Sequence, residues 1–498
     1  MHMPPDKLRR MQRFNYQFVL NTIGLLLIIE AIFMLFSAFV GEYYNETAVR
    51  SIYLSALTSF GSGVLLSFLG RKRKRAAGNL TKREVFFTVT LSWLMMTLFG
   101  TFPYLFSGAI PSFTNAFFES MCGFTTTGSS TLVNIEAFPK SLHFWRSFTQ
   151  WIGGIGIIIF VLSFMPIFGG ISSQFYEAEA TGIAEDQFRP RIREITKQMA
   201  LTYLGLTILG FFFLWAGPMD AFDAACHTLT AISTGGFSTK QTSIAFFNSP
   251  YTEYVITLLM FLGATNFLLI SVLVTRFKAT IFRDEEFKWY FLIIALFTAG
   301  ITVGLLASGQ MNDIEPTFRI VLFQVVAAVT TTGFATADFQ LWGSGYWLLF
   351  LTMILFCGSE GSTSGGMKIS RLIVLSKNAL LVFKRQVHPN ALYVVKMNRK
   401  VITGETLSRL FAFVFLYVTL TVVSAVILGL TGMNFEESIG VSLSSISNYG
   451  FGLGSYGPSG TFESATPFMK YYLCFLMLVG RLEIFTVLSL FIPGFWKR

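Results

Sequence analysis

Ten mostly apolar stretches, each near the length needed to cross a bilayer, constrain this chain more than any other feature. They run roughly over 15–40, 51–70, 84–107, 142–165, 198–216, 251–275, 289–308, 345–383, 407–430 and 468–493. A spanning helix needs about 20 such residues. Only helices and closed barrels satisfy every backbone polar group in hydrocarbon, and runs this long suit helices. Composition agrees: of 498 residues 53% are hydrophobic and 13% charged, against about 25% charged in soluble domains. So few charges cannot coat the several soluble domains that a chain this long would otherwise form. An ordinary cytosolic enzyme is excluded, and the fold class expected is an all-α polytopic membrane protein. The first stretch, from Phe14 to Val40, exceeds the roughly 7–15 residues of a signal-peptide core and reads as an uncleaved first helix.

The basic residues orient these spans. Of 37 Lys and Arg, 30 fall in segments that alternate onto one side: 1–13, 71–83, 189–197, 276–288, 368–409 and 497–498. Six fall on the other side (Arg50, Lys140, Arg146, Lys240, Arg319, Lys470), and Arg481 alone sits in mid-span. Basic residues collect on the cytoplasmic side, so the run Arg71–Arg75 is expected inside, with both termini. Acidic residues lean the other way, 11 inside and 13 outside. The net charge of +10 therefore describes a basic inner face and an anionic outer mouth that gathers cations, and not a nucleic-acid footprint. The segments 368–400 and 185–197 suit anionic lipid or a docked cytosolic subunit, or are simply the positive inner face. Cys122, Cys226, Cys357 and Cys474 lie apart, in or beside apolar runs, without any CxxC and with four His in the whole chain. They read as packed thiols. No HExxH or Walker A string occurs, and the GxGxxG at 452–457 follows no strand. No enzyme and no organic cofactor are expected.

Four further segments are partly apolar but too short to cross. Each ends in a polar tetrapeptide of the form [Ser/Thr]-[Thr/Asn]-x-Gly. These are Thr125-Thr126-Thr127-Gly128, Ser233-Thr234-Gly235-Gly236, Thr330-Thr331-Thr332-Gly333 and Ser447-Asn448-Tyr449-Gly450. A short helix fits before each, beginning near Asn115, Asp223, Ile320 and Glu437. All four occupy the outer side, between an outgoing and a returning span. The unit is thus span, half-helix, polar loop, span, repeated over 76–190, 191–284, 285–395 and 396–498 behind a two-helix extension, 1–75. Non-helical backbone at membrane depth is tolerated only where it is buried in protein or lines an aqueous path. Glycine frees carbonyls to face a pore, and the hydroxyls add oxygen ligands. Each half-helix would aim its partially negative C-terminal end at the pore centre. Together the sixteen residues make a binding site for a dehydrated monovalent cation. Glu119 and His227, within the half-helices, read as hydrogen-bonded members of the surrounding cuff.

The eighth stretch is interrupted. Residues 345–357 are apolar, then comes Gly358-Ser359-Glu360-Gly361-Ser362-Thr363-Ser364-Gly365-Gly366, then a second apolar piece from Ile369. A discontinuous helix with a polar intramembrane loop is the natural reading, a cytoplasmic connector the alternative. Arg481 costs about 2.5–3.5 kcal/mol in mid-span and should face the bundle interior. Glu483 lies nearly opposite on the helix. Arg481 is left as either a partner for Glu30 or Glu360, or a positive barrier in the ion path.

The four motifs GFTTTG, ISTGGFST, VTTTGFAT and SNYGFG, the segment GSEGSTSGGMKISRLIVLSKNALLVFKRQVHPNA and the closing MLVGRLEIFTVLSLF resemble the Trk/Ktr/HKT superfamily of potassium transporters along essentially the whole chain. The two extra N-terminal spans resemble the TrkH/TrkG type, a bacterial potassium uptake protein, over the shorter KtrB type. The resemblance implies one pore per chain in the bacterial cytoplasmic membrane and a homodimer. It also implies a cytosolic nucleotide-binding, TrkA-like ring that controls an intramembrane gate. The gate residues it implies are Gly358, Ser359, Glu360, Gly361, Ser362, Thr363, Ser364, Gly365, Gly366 and Arg481. Glycine at Gly128, Gly236, Gly333 and Gly450 resembles the potassium-selective members, so potassium and rubidium are expected over sodium. Two departures stand out: Asn448-Tyr449 replaces two threonines, and Ser129 replaces the Phe that follows the other three glycines. A distant alternative is the conducting subunit of a P-type pump, and proton- or sodium-coupled symport is left open.

Overall fold

The computed structural model describes residues 14–71, 81–168, 185–277 and 279–496, the side chains of 157–168, 185–193 and 276 excepted. Residues 1–13, Lys72–Arg75 of the basic run and 169–184 lie outside the described residues. The chain forms two compact units. One comprises Met1–Met121, Phe138–Trp145 and Leu482–Arg498; the other comprises Cys122–Ala137 and Arg146–Arg481.

The first unit is built on α1 (Tyr16–Tyr43), α2 (Val49–Leu69) and α3 (Lys82–Gly100). Small residues let α1 and α2 approach closely: a side chain at Gly24 would meet the Ser67 backbone, and one at Gly63 the Gly24 carbonyl. Val19, Ile23 and Leu27 form a core with Leu66, Phe87, Leu91, Met95 and Phe99. A capping box of Thr81 and Glu84 starts α3, and Glu84 also accepts the Asn15 amide at 2.9 Å. Leu25, Phe36, Phe39, Leu57, Leu65 and Phe68 are exposed, the apolar outer face a bilayer requires. Glu30 is buried with neither carboxylate oxygen bonded.

The chain continues through α4 (Phe113–Phe124), α5 (Lys140–Phe168), α6 (Glu185–Trp215), α7 (Ala221–Ile232), α8 (Pro250–Gly263), α9 (Phe267–Arg276), α10 (Glu285–Ala307), α11 (Ile314–Val329), α12 (Ser344–Leu355), α13 (Ile369–Val387), α14 (Gly404–Leu430), α15 (Phe435–Ser447) and α16 (Pro467–Arg481). Among the described residues six helices are long and apolar enough to cross a membrane, α1, α2, α6, α10, α14 and α3 with its short continuation. The four expected half-helices are α4, α7, α11 and α15, of 12, 12, 16 and 13 residues. The third starts at Ile314, six residues before the expected Ile320. Pro316 is tolerated there because first-turn amides have no intrahelical acceptor.

Two stretches read as straight spans are broken. Residues 251–275 split into α8 and α9, which meet at 103°. Residues 468–493 split where α16 ends at Arg481 and a short helix begins at Ile484. The interrupted stretch 345–383 is α12, a loop and α13. Its two ends are tied by a parallel bridge between β1 (Phe356–Cys357) and β2 (Met367–Lys368). On the polypeptide between α13 and α14, β3 (Lys396–Met397) and β4 (Lys400–Val401) form a small antiparallel hairpin.

Candidate functional site

Each half-helix ends in the same turn. The second residue of every tetrapeptide adopts the left-handed conformation, with φ of 52° at Thr126, 52° at Thr234, 56° at Thr331 and 56° at Asn448. The amide of that residue reaches back three residues and the next amide five: Thr126 to Gly123 and Thr127 to Cys122, Thr234 to Ala231 and Gly235 to Thr230, Thr331 to Ala328 and Thr332 to Ala327, Asn448 to Ser445 and Tyr449 to Ser444, all at 2.8–3.3 Å. This is a Schellman cap, which glycine usually supplies. Three β-branched threonines hold it here, a conformation costing about 1–3 kcal/mol each and characteristic of functional backbone. Asn448 tolerates it better, which accounts for the departure in the fourth repeat.

The glycine that ends each tetrapeptide also has positive φ: 85°, 78°, 76° and 101° at Gly128, Gly236, Gly333 and Gly450. The third residue does not. Such alternation turns successive carbonyls toward one side. The glycines touch in a cycle. A side chain at Gly128 would strike the Gly235 carbonyl, one at Gly236 that of Thr332, one at Gly333 that of Tyr449, and one at Gly450 that of Thr127. The four segments therefore close into a ring in chain order, the last against the first. All sixteen residues expected from sequence come together in it.

Side chains in and beside the tetrapeptides brace the ring. Gln150 donates to the Gly235 carbonyl at 2.7 Å and accepts the Phe237 amide at 3.1 Å. Ser129 donates to the Gly450 carbonyl at 2.8 Å. Asn448 donates to Thr127 Oγ1 and to the Met477 carbonyl, both at 3.0 Å. Tyr417 and Ser447 share a hydroxyl contact of 2.6 Å. His227 has both ring nitrogens paired, to the Asp223 carbonyl and Ser238 Oγ at 2.8 and 2.9 Å, as a cuff residue should. Beyond the ring lies a recess lined by Gly128, Gly236, Gly450, Arg146 and Lys240. Arg146 donates to the Ser238 carbonyl and stacks on Phe237, while Lys240 pairs with Asp223 at 3.2 Å.

A second fourfold pattern lies at the helix side of the ring. The carbonyl just before each tetrapeptide, of Phe124, Ile232, Val329 and Ile446, meets a glycine of the returning span. A side chain at Gly153, Gly263 or Gly480 would collide with the first, second or fourth of them. In the third repeat the Gly358 amide donates to Val329 at 3.0 Å. These small residues let the spans press against the half-helix ends; in repeats two and four the span breaks at or just after that glycine, and in the third the helix ends at Leu355, three residues before it.

The loop 358–366 sits among these ends. The Thr363 hydroxyl donates to the Ile232 and Gly263 carbonyls at 2.9 and 3.0 Å, and its amide to Gly263 at 3.2 Å. Ser359 donates to Ala264 at 2.8 Å and Gly365 to Thr331 Oγ1 at 2.8 Å. A side chain at Gly365 would strike the Ser447 carbonyl. The bend between α8 and α9 thus frees Gly263 and Ala264 from the helical ladder, and the loop occupies them. Three charged side chains hold the loop in turn. Arg481, 3% exposed, donates to the Thr363 carbonyl at 2.7 Å and the Gly153 carbonyl at 3.1 Å. Its partners are these carbonyls, and neither Glu30 nor Glu360. Lys368 donates to the Ser364 carbonyl and, at 2.9 Å, to its hydroxyl. Glu286 accepts the Glu360 amide at 2.9 Å and the Ser370 amide at 3.3 Å. Gln150, Lys368 and Glu286 were not singled out in the sequence. Gln150 had a signal, as an isolated amide within an apolar span.

The TrkH family model, described as a cation transport protein, matches residues 58–497. The chain belongs to the TrkH family. It is 34% identical over 496 residues to the Trk system potassium uptake protein TrkH of Escherichia coli K12, covering 97% of this chain and 100% of that protein. The Escherichia coli K12 protein TrkG is 28% identical over 492 residues, with coverage of 98% and 100%. The crystal structure of the potassium transporter TrkH from Vibrio parahaemolyticus superposes with a TM-score of 0.88 at 30% identity, covering 97% of this chain and 100% of that one. As a TrkH-family chain it is a multi-pass, all-helical membrane transporter and not an enzyme.

Proposed function

We propose that this chain is the pore-forming subunit of a Trk-type potassium uptake system in the bacterial cytoplasmic membrane, with potassium as its transported ion. The observation that carries this reading is the closed cycle of four backbone turns of one geometry, with carbonyls and threonine hydroxyls but no ionised side chain in the sixteen-residue ring. Oxygen dipoles in that number replace the hydration shell of a monovalent cation. The sixteen residues from Thr125–Gly128, Ser233–Gly236, Thr330–Gly333 and Ser447–Gly450 form the selectivity filter, preferring potassium and rubidium over sodium. The loop 358–366 with Arg481 is the gate, closed in the arrangement described: the loop plugs the half-helix ends and a guanidinium sits beside it, where an inward-moving cation would meet positive charge. Both termini and the 71–83 segment face the cytoplasm. The pore repeats follow the boundaries 76–190, 191–284, 285–395 and 396–498, behind the 1–75 extension. The chain works as a homodimer with a cytosolic nucleotide-binding ring. Growth rescue of an uptake-deficient strain in low potassium tests the function. Equal uptake of sodium and rubidium by the intact protein would overturn the selectivity. Electrical recording across a proton gradient separates a channel from a coupled symporter.

A further inference from the structure

The charged residues that hold the gate loop do not all belong to the filter side of the molecule. Glu286 lies in the first turn of α10 and is buried. One of its oxygens, Oε1, accepts the amides of Glu360 in the loop at 2.9 Å and of Ser370 in the first turn of α13 at 3.3 Å. Those residues are ten apart in sequence, so a single carboxylate oxygen buckles the loop shut. The two residues before Glu286 are fastened to the hairpin. Asp284 accepts the Asn398 amide group at 2.7 Å, and the Glu285 amide donates to Asn398 Oδ1 at 2.9 Å. Glu285 also pairs with Lys377, which reaches the Lys396 carbonyl at 2.9 Å. Asn398 and Arg399 form the two-residue turn of the hairpin, with φ of 46° and 65°. Two positive φ values define the tight turn that holds antiparallel strands in register. A displacement of this turn therefore moves residues 284–285, and with them the adjoining Glu286.

We propose that Glu286 is a positioning residue of the gate, and that Asn398 in the 396–401 hairpin is the lever that sets it. The turn lies in 368–409, the segment expected on the cytoplasmic side with the proposed regulator, and through residues 284–286 it reaches Glu360 in the loop and Ser370 just after it. The inference rests on the gate reading of 358–366 and Arg481.

The test is rubidium uptake into proteoliposomes holding the full chain without a partner. The variants are Glu286→Ala, Glu286→Gln, Asn398→Ala and the double variant Glu286→Ala/Asn398→Ala. Glu286→Ala should raise uptake at least about fivefold, the low end of ordinary coupling between sites. Glu286→Gln, which keeps the accepting oxygen, should stay within about twofold of the parent chain. Asn398→Ala should raise uptake alone yet add little in the double variant, since both act on one element. The rubidium-over-sodium preference should not move in any of them. Uptake unchanged in Glu286→Ala, or independent effects in the double variant, overturns the proposal. If Glu286→Ala yields no folded protein, the same cycle with Glu286→Asp and Asn398→Ala decides it, by non-additivity or additivity. Arg481→Ala separates the two levels. If it raises uptake while Glu286→Ala does not, only this inference falls. If it too leaves uptake unchanged, the gate reading falls first.

Discussion

The ring of four tetrapeptides and the loop 358–366, proposed above as filter and gate, are both irregular backbone among apolar helices, yet they are held by different means. The ring is made four times over, from one turn repeated, and its braces are neutral: Gln150, Ser129, Asn448 and Tyr417. The loop occurs once and is held by titratable side chains, Arg481, Lys368 and Glu286. Neutral braces fix oxygen positions without adding a field that would compete with a cation in the proposed filter. Titratable anchors on single carbonyls and amides leave buried polar groups unpaired when broken, which suits an element proposed to have two positions. Under the proposed roles, the part that fixes the ion is symmetric and braced by neutral groups, and the part that moves is singular and held by titratable ones.

Five substitutions would break or sharpen this contrast. The largest effect is expected from Gly236→Ala, whose methyl would strike the Thr332 carbonyl at a backbone with φ of 78°. Rubidium uptake should fall about a hundredfold, equal to ~2.7 kcal/mol; uptake near that of the parent would remove the ring geometry as the basis of conduction. Next, Arg481→Ala frees the Thr363 carbonyl and should raise rubidium uptake about tenfold, or ~1.4 kcal/mol, with unchanged ion preference. A change of preference without a change of rate would place Arg481 with the filter and erase the division drawn here. Third, Gln150→Leu leaves the Gly235 carbonyl and Phe237 amide unpaired. At about 1–3 kcal/mol for such groups, competitive uptake should show the rubidium-over-sodium preference reduced roughly fivefold to tenfold. The smallest effect is on stability. Thr126 is left-handed and its hydroxyl has no bond partner, so Thr126→Asn should stabilise by about 1 kcal/mol. Asn448→Thr should destabilise by at least as much, because it also loses two hydrogen bonds. Thermal unfolding in detergent reads both, and matching signs would refute the strain argument.

The ring was legible in the sequence because four copies of one tetrapeptide in one topological slot leave few alternatives. Apolar length likewise marked α1, α2, α10 and α14. The bend after Gly263 was not legible, since hydropathy runs unbroken through residues 251–275. What stabilises it is Thr363, 100 residues away, whose hydroxyl takes the carbonyl that the bend releases. The partner of Arg481 was missed for a related reason. A lone cation in a span suggests a carboxylate, whereas backbone carbonyls, which no sequence displays, are what it meets. Glu286 looked like one acidic residue among several at an inner end; only the pairing of Glu360 with Ser370 around it sets it apart.

The closure of the ring in chain order carries a consequence for biosynthesis. Ser129 and Gly450, in contact across the seam, are 321 residues apart. As the polypeptide emerges, repeats one to three make an open arc with carbonyls lacking a neighbour, and the seam waits for the fourth. Long-range closure of this kind is slow, since its loop entropy is paid before the contacts form. A chain ending before residue 450 would hold most of the helices but an unclosed ring, so under the proposed function its path for ions would be incomplete.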